Sequence, residues 1–230
     1  MNIGTSPRIL AAALFLALLG GGGGARAADA AENSGDPADF AAAPSPCAAI
    51  IATAEKTEGI PRRLLTAISL AESGRYDADR REIIAWPWSI NAEGAGRFFA
   101  TKKDAIAAVK KLQARGVTSI DVGCMQVNLH HHADAFASLD AAFDPETNVA
   151  YAARFLTELR DETRSWSQAV AFYHSTSREF SAPYRSKVYR LWAEVRRRDA
   201  EKKRQEVIEA YLERRAAAEE ARRAAKRDPS

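Results

Sequence analysis

Glu72 is the residue of this chain best placed by its spacing to move a proton. Leu64, Ile68 and Glu72 fall at i, i+4 and i+8 with Leu65 beside them, so a helix opened by Pro61 puts them on one face. The carboxylate then ends an apolar stripe, just before Ser73-Gly74 stops the helix. Partial removal from water disfavours a charged carboxylate and raises its pKa. A carboxyl that keeps its proton near neutral pH is a general acid, able to protonate a leaving oxygen. The same spacing also fits a solvated carboxylate at a fraying helix end, and spacing alone does not choose between the two. Asp77 and Asp79 are the nearest candidates for a second carboxylate. They stand in a polar turn without apolar neighbours, so both are expected to be solvated.

His130-His131-His132 raises the question of a metal. Three consecutive residues do not converge on one ion from regular structure, and no Cys or carboxylate stands at zinc-finger spacing. A polar loop, and no metal site, is the expectation. Trp86, Trp88, Phe98 and Phe99 could stack on sugar rings or form a small core of their own, and the core is the reading adopted here.

The elements that must position these residues are mostly helical. Ser45-Pro46 opens a first helix carrying Ile50, Ile51 and Ala54, with Gly59 as its stop. The second runs from Arg62 to about Ser73. Between Ile83 and Ala100, aromatic runs flank a Gly-rich segment, Asn91 to Gly96, which predicts a small β-hairpin. Thr101-x-x-Asp104 is a capping box for a helix ending near Gly116. Residues 117–128 read as a short strand or loop. Asp144-Pro145 opens a helix with Val149, Ala152, Ala153, Leu156 and Leu159 on one stripe. Ser165-x-x-Gln168 caps a helix over Ala169 to Ser175, and Pro183 is expected to begin a last helix that runs into a charged tail. In that tail Val207, Ile208, Tyr211 and Leu212 form a narrow stripe between Glu and Arg. It reads as a solvated single helix, with docking to an envelope protein partner as the alternative.

Arg8, the apolar run Ile9 to Leu19 and Ala25-Arg26-Ala27 fit a cleaved signal peptide over residues 1–27, and the run is too short to span a bilayer comfortably. Residues 28–46 read as a flexible leader with little to bury. A periplasmic destination is expected. In an oxidising compartment, Cys47 and Cys124 read naturally as one disulfide, with two buried free thiols as the alternative. Of the chain's formal +3, Arg8 and Arg26 carry two and the tail 193–230 a net three, which leaves the body near −2. Such a body has no electrostatic footprint for nucleic acid.

Glu72-Ser73-Gly74, Gly123-Cys124-Met125-Gln126-Val127-Asn128, Ala169-Val170-Ala171-Phe172-Tyr173-His174 and then Tyr184 occur in that order. The series resembles the motif set of the bacterial lytic transglycosylases of the lysozyme superfamily, the soluble-lytic-transglycosylase type, over roughly residues 47–192. The resemblance implies a mainly α, lysozyme-like helical domain, here with a β-hairpin insertion and a long charged C-terminal helix over 193–230. It implies Glu72 as the sole acid/base, Ser73 placing substrate or the catalytic carboxyl, and Gly123, Met125 and Gln126 along a saccharide cleft. Tyr173 would stand near Glu72, and Tyr184 would be a second cleft tyrosine. No cofactor or metal is implied. The substrate would be peptidoglycan, cut at the β-1,4 bond between N-acetylmuramic acid and N-acetylglucosamine with a 1,6-anhydro end, by a monomer. A hydrolytic muramidase on the same fold, and a non-catalytic glycan-binding module of an envelope-spanning machine, are the competing readings. Cys124 stands where the family usually has Leu, which implies a disulfide beside the cleft, and His174 stands where Asn is frequent. The 50 or so residues between Ser73 and Gly123 exceed the compact members, and the surplus is the hairpin and the helix after Thr101.

Overall fold

A computed structural model describes residues 46–227. The signal-peptide reading and nearly all of the leader lie outside the described residues. Seven helices run in chain order: α1 Pro46–Thr57, α2 Leu64–Ser73, α3 Lys102–Ala114, α4 Leu139–Ala142, α5 Pro145–Thr163, α6 Trp166–His174 and α7 Arg178–Arg227. Six short strands lie among them: β1 Gly74–Asp77, β2 Glu82–Ala85, β3 Ser89–Ala92, β4 Ala95–Phe98, β5 Ile120–Val122 and β6 Val127–Asn128. The mainly α, lysozyme-like expectation is correct. Among the described residues no helix is long and apolar enough to cross a membrane.

The helical core forms around α2. Leu64, Leu65 and Ile68 are fully buried against Ile51 of α1, Val149, Ala153 and Leu156 of α5, Val170 of α6 and Val188 of α7. The cap of α2 comes from another helix. Arg63 takes a left-handed turn (φ 69°) with no side-chain cap of its own. The buried Glu55 carboxylate of α1 accepts instead from the backbone N–H groups of Arg63 (2.7 Å) and Thr66 (2.8 Å), satisfying donors that a helix start leaves open.

The local cap signals place three helices as expected. Thr101 accepts from Asp104 N–H, Asp144 from Thr147 N–H ahead of Pro145, and Ser165 from Gln168 N–H. Because Ser165 is the cap, α6 begins at Trp166 and not at Ala169. The last helix begins at Arg178, five residues before Pro183, which sits inside it. Proline lacks the N–H for one intrahelical bond, and Pro183 occupies the exposed side early in the helix.

The second core belongs to the β region. β4, β3, β5 and β6 form one antiparallel sheet in that order. The β3–β4 hairpin turns on Glu93 (φ 54°) and Gly94 (φ 76°), two left-handed residues between Ala92 and Ala95, as a two-residue hairpin of right-handed twist demands. Ile90, Ile120 and Val122 turn one face of this sheet onto Val109 and Leu112 of α3 and Phe143. The other face meets the cleft. A second hairpin, β1–β2, occupies residues read from sequence as a polar turn. Its strands are four residues long and its turn is charged, so no apolar alternation announces it. Trp86 and Phe99 are buried and joined by the Trp86 indole N–H donating to the Phe99 carbonyl (2.8 Å), while Phe98 faces the cleft.

Cys47 and Cys124 are disulfide-bonded, tying α1 to the loop between β5 and β6.

Candidate active site

A cleft of about 1800 Å³ runs between the two cores. Sites for drug-sized ligands occupy roughly 300–1,000 Å³, so this volume suits a stretch of polymer. Glu72, at the last turn of α2, lines it together with Tyr173 of α6 and Tyr184 of α7. The helix spacing that singled out Glu72 is what delivers it. Leu64 and Ile68 are held in the core, and the next residue on that face reaches the cleft edge.

Burial pushes the Glu72 carboxyl from an ordinary 4.5 up to about 7. The Tyr184 hydroxyl donates to its Oε1 at 2.5 Å and opposes that rise, as does the Lys187 ammonium, whereas the Asp121 charge adds to it. The Tyr184 ring is buried and stacks on His174 at 4.6 Å between centroids, so the residue found where the family often has Asn braces the tyrosine that holds Glu72. Lys187 also donates to the Ala71 carbonyl at 2.7 Å, pinning α7 to the end of α2. Burial, then the nearby Glu72 charge, holds both Tyr173 and Tyr184 well above the usual phenol range, so both are neutral hydrogen-bond donors.

Gln126 borders the cleft, whereas Gly123 and Met125 do not. Met125 is fully buried in the helical core, so it supports the cleft from behind. Its carbonyl accepts from the Tyr173 hydroxyl at 2.9 Å, which is how this loop positions Tyr173. Ser73 is buried and donates to the Cys124 carbonyl at 2.7 Å, locking the end of α2 onto the same loop. Gly123 has φ 82°, and a Cβ there would lie 2.5 Å from Asn148 Nδ2. Only glycine fits both demands. Gln126 Nε2 donates to the Ser89 hydroxyl (3.1 Å) and the Gly123 carbonyl (3.1 Å), tying the loop to the inserted hairpin.

Asp77 is buried, contrary to expectation. Its oxygens accept from the Arg80 backbone N–H (2.9 Å) and guanidinium (2.5 Å) inside the β1–β2 turn. Asp79 is exposed. Neither lines the cleft. Of the carboxylates that line the cleft, Asp121 is the one whose charge acts on Glu72, and sequence reasoning missed it. The alternation Ile120-Asp121-Val122, apolar-polar-apolar, was the available signal. Asn148 was missed as well. Fully buried on α5, it accepts from Met125 N–H (2.9 Å) and donates to the Val122 (3.1 Å) and Ala142 (3.0 Å) carbonyls, so one amide ties both sides of the Gly123–Cys124 turn to α4 and α5. Of the three histidines, His132 shares a 2.8 Å hydrogen bond with the Tyr151 hydroxyl and packs on Phe155.

A family model described as the transglycosylase SLT domain matches residues 49–187, more than half of the chain. No curated protein and no solved structure matches it. The matched span begins in α1, ends in α7, and includes Glu72, the Gly123–Asn128 segment, Tyr173 and Tyr184. The chain therefore belongs to the transglycosylase SLT domain family, a lysozyme-like family that acts on peptidoglycan.

Proposed function

We propose that the protein is a periplasmic lytic transglycosylase. It cleaves the β-1,4 bond between N-acetylmuramic acid and N-acetylglucosamine and closes the cut end as 1,6-anhydro-N-acetylmuramic acid. The observation that carries this reading is a carboxyl pushed up to about 7 by burial at the edge of a polymer-sized cleft. Protonated Glu72 gives its proton to the bridging oxygen as the bond to C1 breaks. The C6 hydroxyl of the same sugar then attacks C1, and its proton returns to Glu72. An attacking group carried on the substrate has the entropic advantage of an intramolecular reaction. Ser73, Gln126, Tyr173 and Tyr184 hold the carboxyl, the loop and the glycan in register.

The second reading, a hydrolytic muramidase, is favoured by one observation. Asp121 places a second carboxylate within electrostatic reach of Glu72, the kind of group that ordinary glycosidases use on the anomeric carbon. Clearing of isolated cell-wall sacculi by the wild type, lost in Glu72→Gln, tests the shared core of both readings. Borohydride-reducible ends in the digest would favour the muramidase.

A further inference from the structure

Asp121 lies in the middle of a three-strand row. The register sets Asn91 of β3 directly across from Asp121 of β5, and Asp121 directly across from Asn128 of β6. Directly opposed residues share a face of the sheet. The neighbouring rung, Ile90, Val122 and Val127, is buried, so the pleat sends the amide–carboxylate–amide row into the cleft. Asn128 Nδ2 donates to Asp121 Oδ1 at 2.7 Å, and Asn91 Nδ2 lies 3.3 Å from Oδ2. Burial raises the Asp121 carboxyl above its ordinary range, and the two amide donors, one on each oxygen, oppose that rise and fix its orientation. Glu72 feels the Asp121 charge, so the two groups share one site.

We propose that Asp121 is a second carboxylate of the reaction. It presents a fixed negative charge to C1 of the muramic acid as that carbon becomes cationic, and Asn91, carried by the inserted hairpin, is a positioning residue for it. This rests on the glycan-cleaving reading above. As Glu72 protonates the bridging oxygen, the C1–O bond breaks and its electron pair stays on the leaving oxygen. Asp121 faces the electron-poor C1 until the C6 hydroxyl oxygen bonds to it and releases its proton to Glu72. Asp121 ends the cycle unchanged. The division of labour, one carboxyl whose proton is held on by burial and one whose negative charge is supported by two amide donors, is how paired carboxyls take opposite roles. It also gives the insertion a task, because the compact core of helices contains no Asn91.

The test uses the mature chain on purified glycan strands, with Asp121→Asn, Asn91→Ala and Glu72→Gln. Loss of a preorganised charge of this kind costs on the order of 100-fold in kcat, and that is the loss expected for Asp121→Asn, with KM little changed. Asn91→Ala, which leaves the carboxylate in place but less well oriented, should lose roughly 10- to 100-fold. A kcat loss at little-changed KM in a folded variant is what a merely structural role would not give, and the alkaline limb of the pH profile reports the Asp121 charge at Glu72. Glu72 is faced by Asp121 from β5, Tyr173 from α6, and Tyr184 and Lys187 from α7, while His131 stands near Asp121. Removing the Asp121 charge takes away a cause of the raised Glu72 pKa, so the limb should move to lower pH. Folded Asp121→Asn within about threefold of wild type, with an unmoved limb, overturns the proposal. If that variant does not fold, full activity in folded Asn91→Ala overturns it instead. An inactive wild type contradicts the glycan-cleaving reading itself, which separates the two failures.

Discussion

At Glu72 two influences oppose each other: burial keeps the proton on, while the Tyr184 hydrogen bond and the Lys187 ammonium draw it off. Burial wins, and the carboxyl is poised near 7. Activity that needs the protonated form should fall as pH rises through that value. Tyr184→Phe removes an influence that lowers the pKa, so the alkaline limb of kcat/KM should move to higher pH, the opposite of the shift expected for Asp121→Asn. A limb that stays in place in Tyr184→Phe would show that another group sets it. Glu72→Gln should abolish cleavage, since it keeps the shape and removes the transferable proton. Activity within about tenfold of wild type, some 1.4 kcal/mol of transition-state stabilisation, would exclude Glu72 as the acid. The same substitution has a stability signature. A carboxyl whose pKa is higher in the folded than in the unfolded chain is most favourable below the unfolded value, and that advantage is lost as pH rises through the folded one. Glu72→Gln should therefore be more stable than wild type at pH 8, on the order of 2 kcal/mol, and no more stable at pH 4. Thermal melting at the two pH values checks this.

Among the elements, the loop between β5 and β6 is the part that most depends on others. The disulfide holds it to α1, Ser73 to α2, Asn148 to α5, and Tyr173 to α6. Gly123→Ala should cost about 3 kcal/mol, through a left-handed backbone and a Cβ pressed on Asn148. Reducing the disulfide, whose cysteines are 77 residues apart, should cost about 4 kcal/mol in the chain-entropy model. Urea unfolding with and without reductant reads that difference, and an unchanged midpoint would contradict it. What could be read from the sequence here follows physical range. The caps at Thr101, Asp144 and Ser165 were legible because a cap bonds three residues ahead. The stripe carrying Glu72 was legible because helix periodicity is local. The Asn91–Asp121–Asn128 row was not, since its members are 30 and 7 residues apart and only strand register brings them together. Glu55 escaped notice for the same reason, because its carboxylate caps a different helix.

For the whole molecule, the cleft exists because the helical core and the β core each bury their own apolar face and leave polar residues opposed. The long helix α7 belongs to both body and tail. Trp192 donates to the Arg62 carbonyl at 2.8 Å, and Asp199 pairs with Arg62 (2.5 Å) and Arg63 (2.7 Å) at the start of α2. The packed part of the helix therefore extends past Trp192. Removing residues 201–230 should leave stability and cleavage unchanged, whereas ending the chain at Trp192 should cost up to about 1 kcal/mol, as partly exposed ion pairs do. Chemical denaturation of both truncations tests the boundary.

The central claim is that a single poised acid, Glu72, hands the cut end of the glycan to its own C6 hydroxyl. The most direct measurement is mass spectrometry of the muropeptides released from purified sacculi by the wild-type protein. An anhydro end is one water, about 18 mass units, lighter than a hydrolysed one, and the intramolecular route favours it. The account predicts a digest dominated by 1,6-anhydro-N-acetylmuramic acid ends that resist borohydride reduction. A digest dominated by reducible ends would contradict it, making water the attacking group and the enzyme a muramidase.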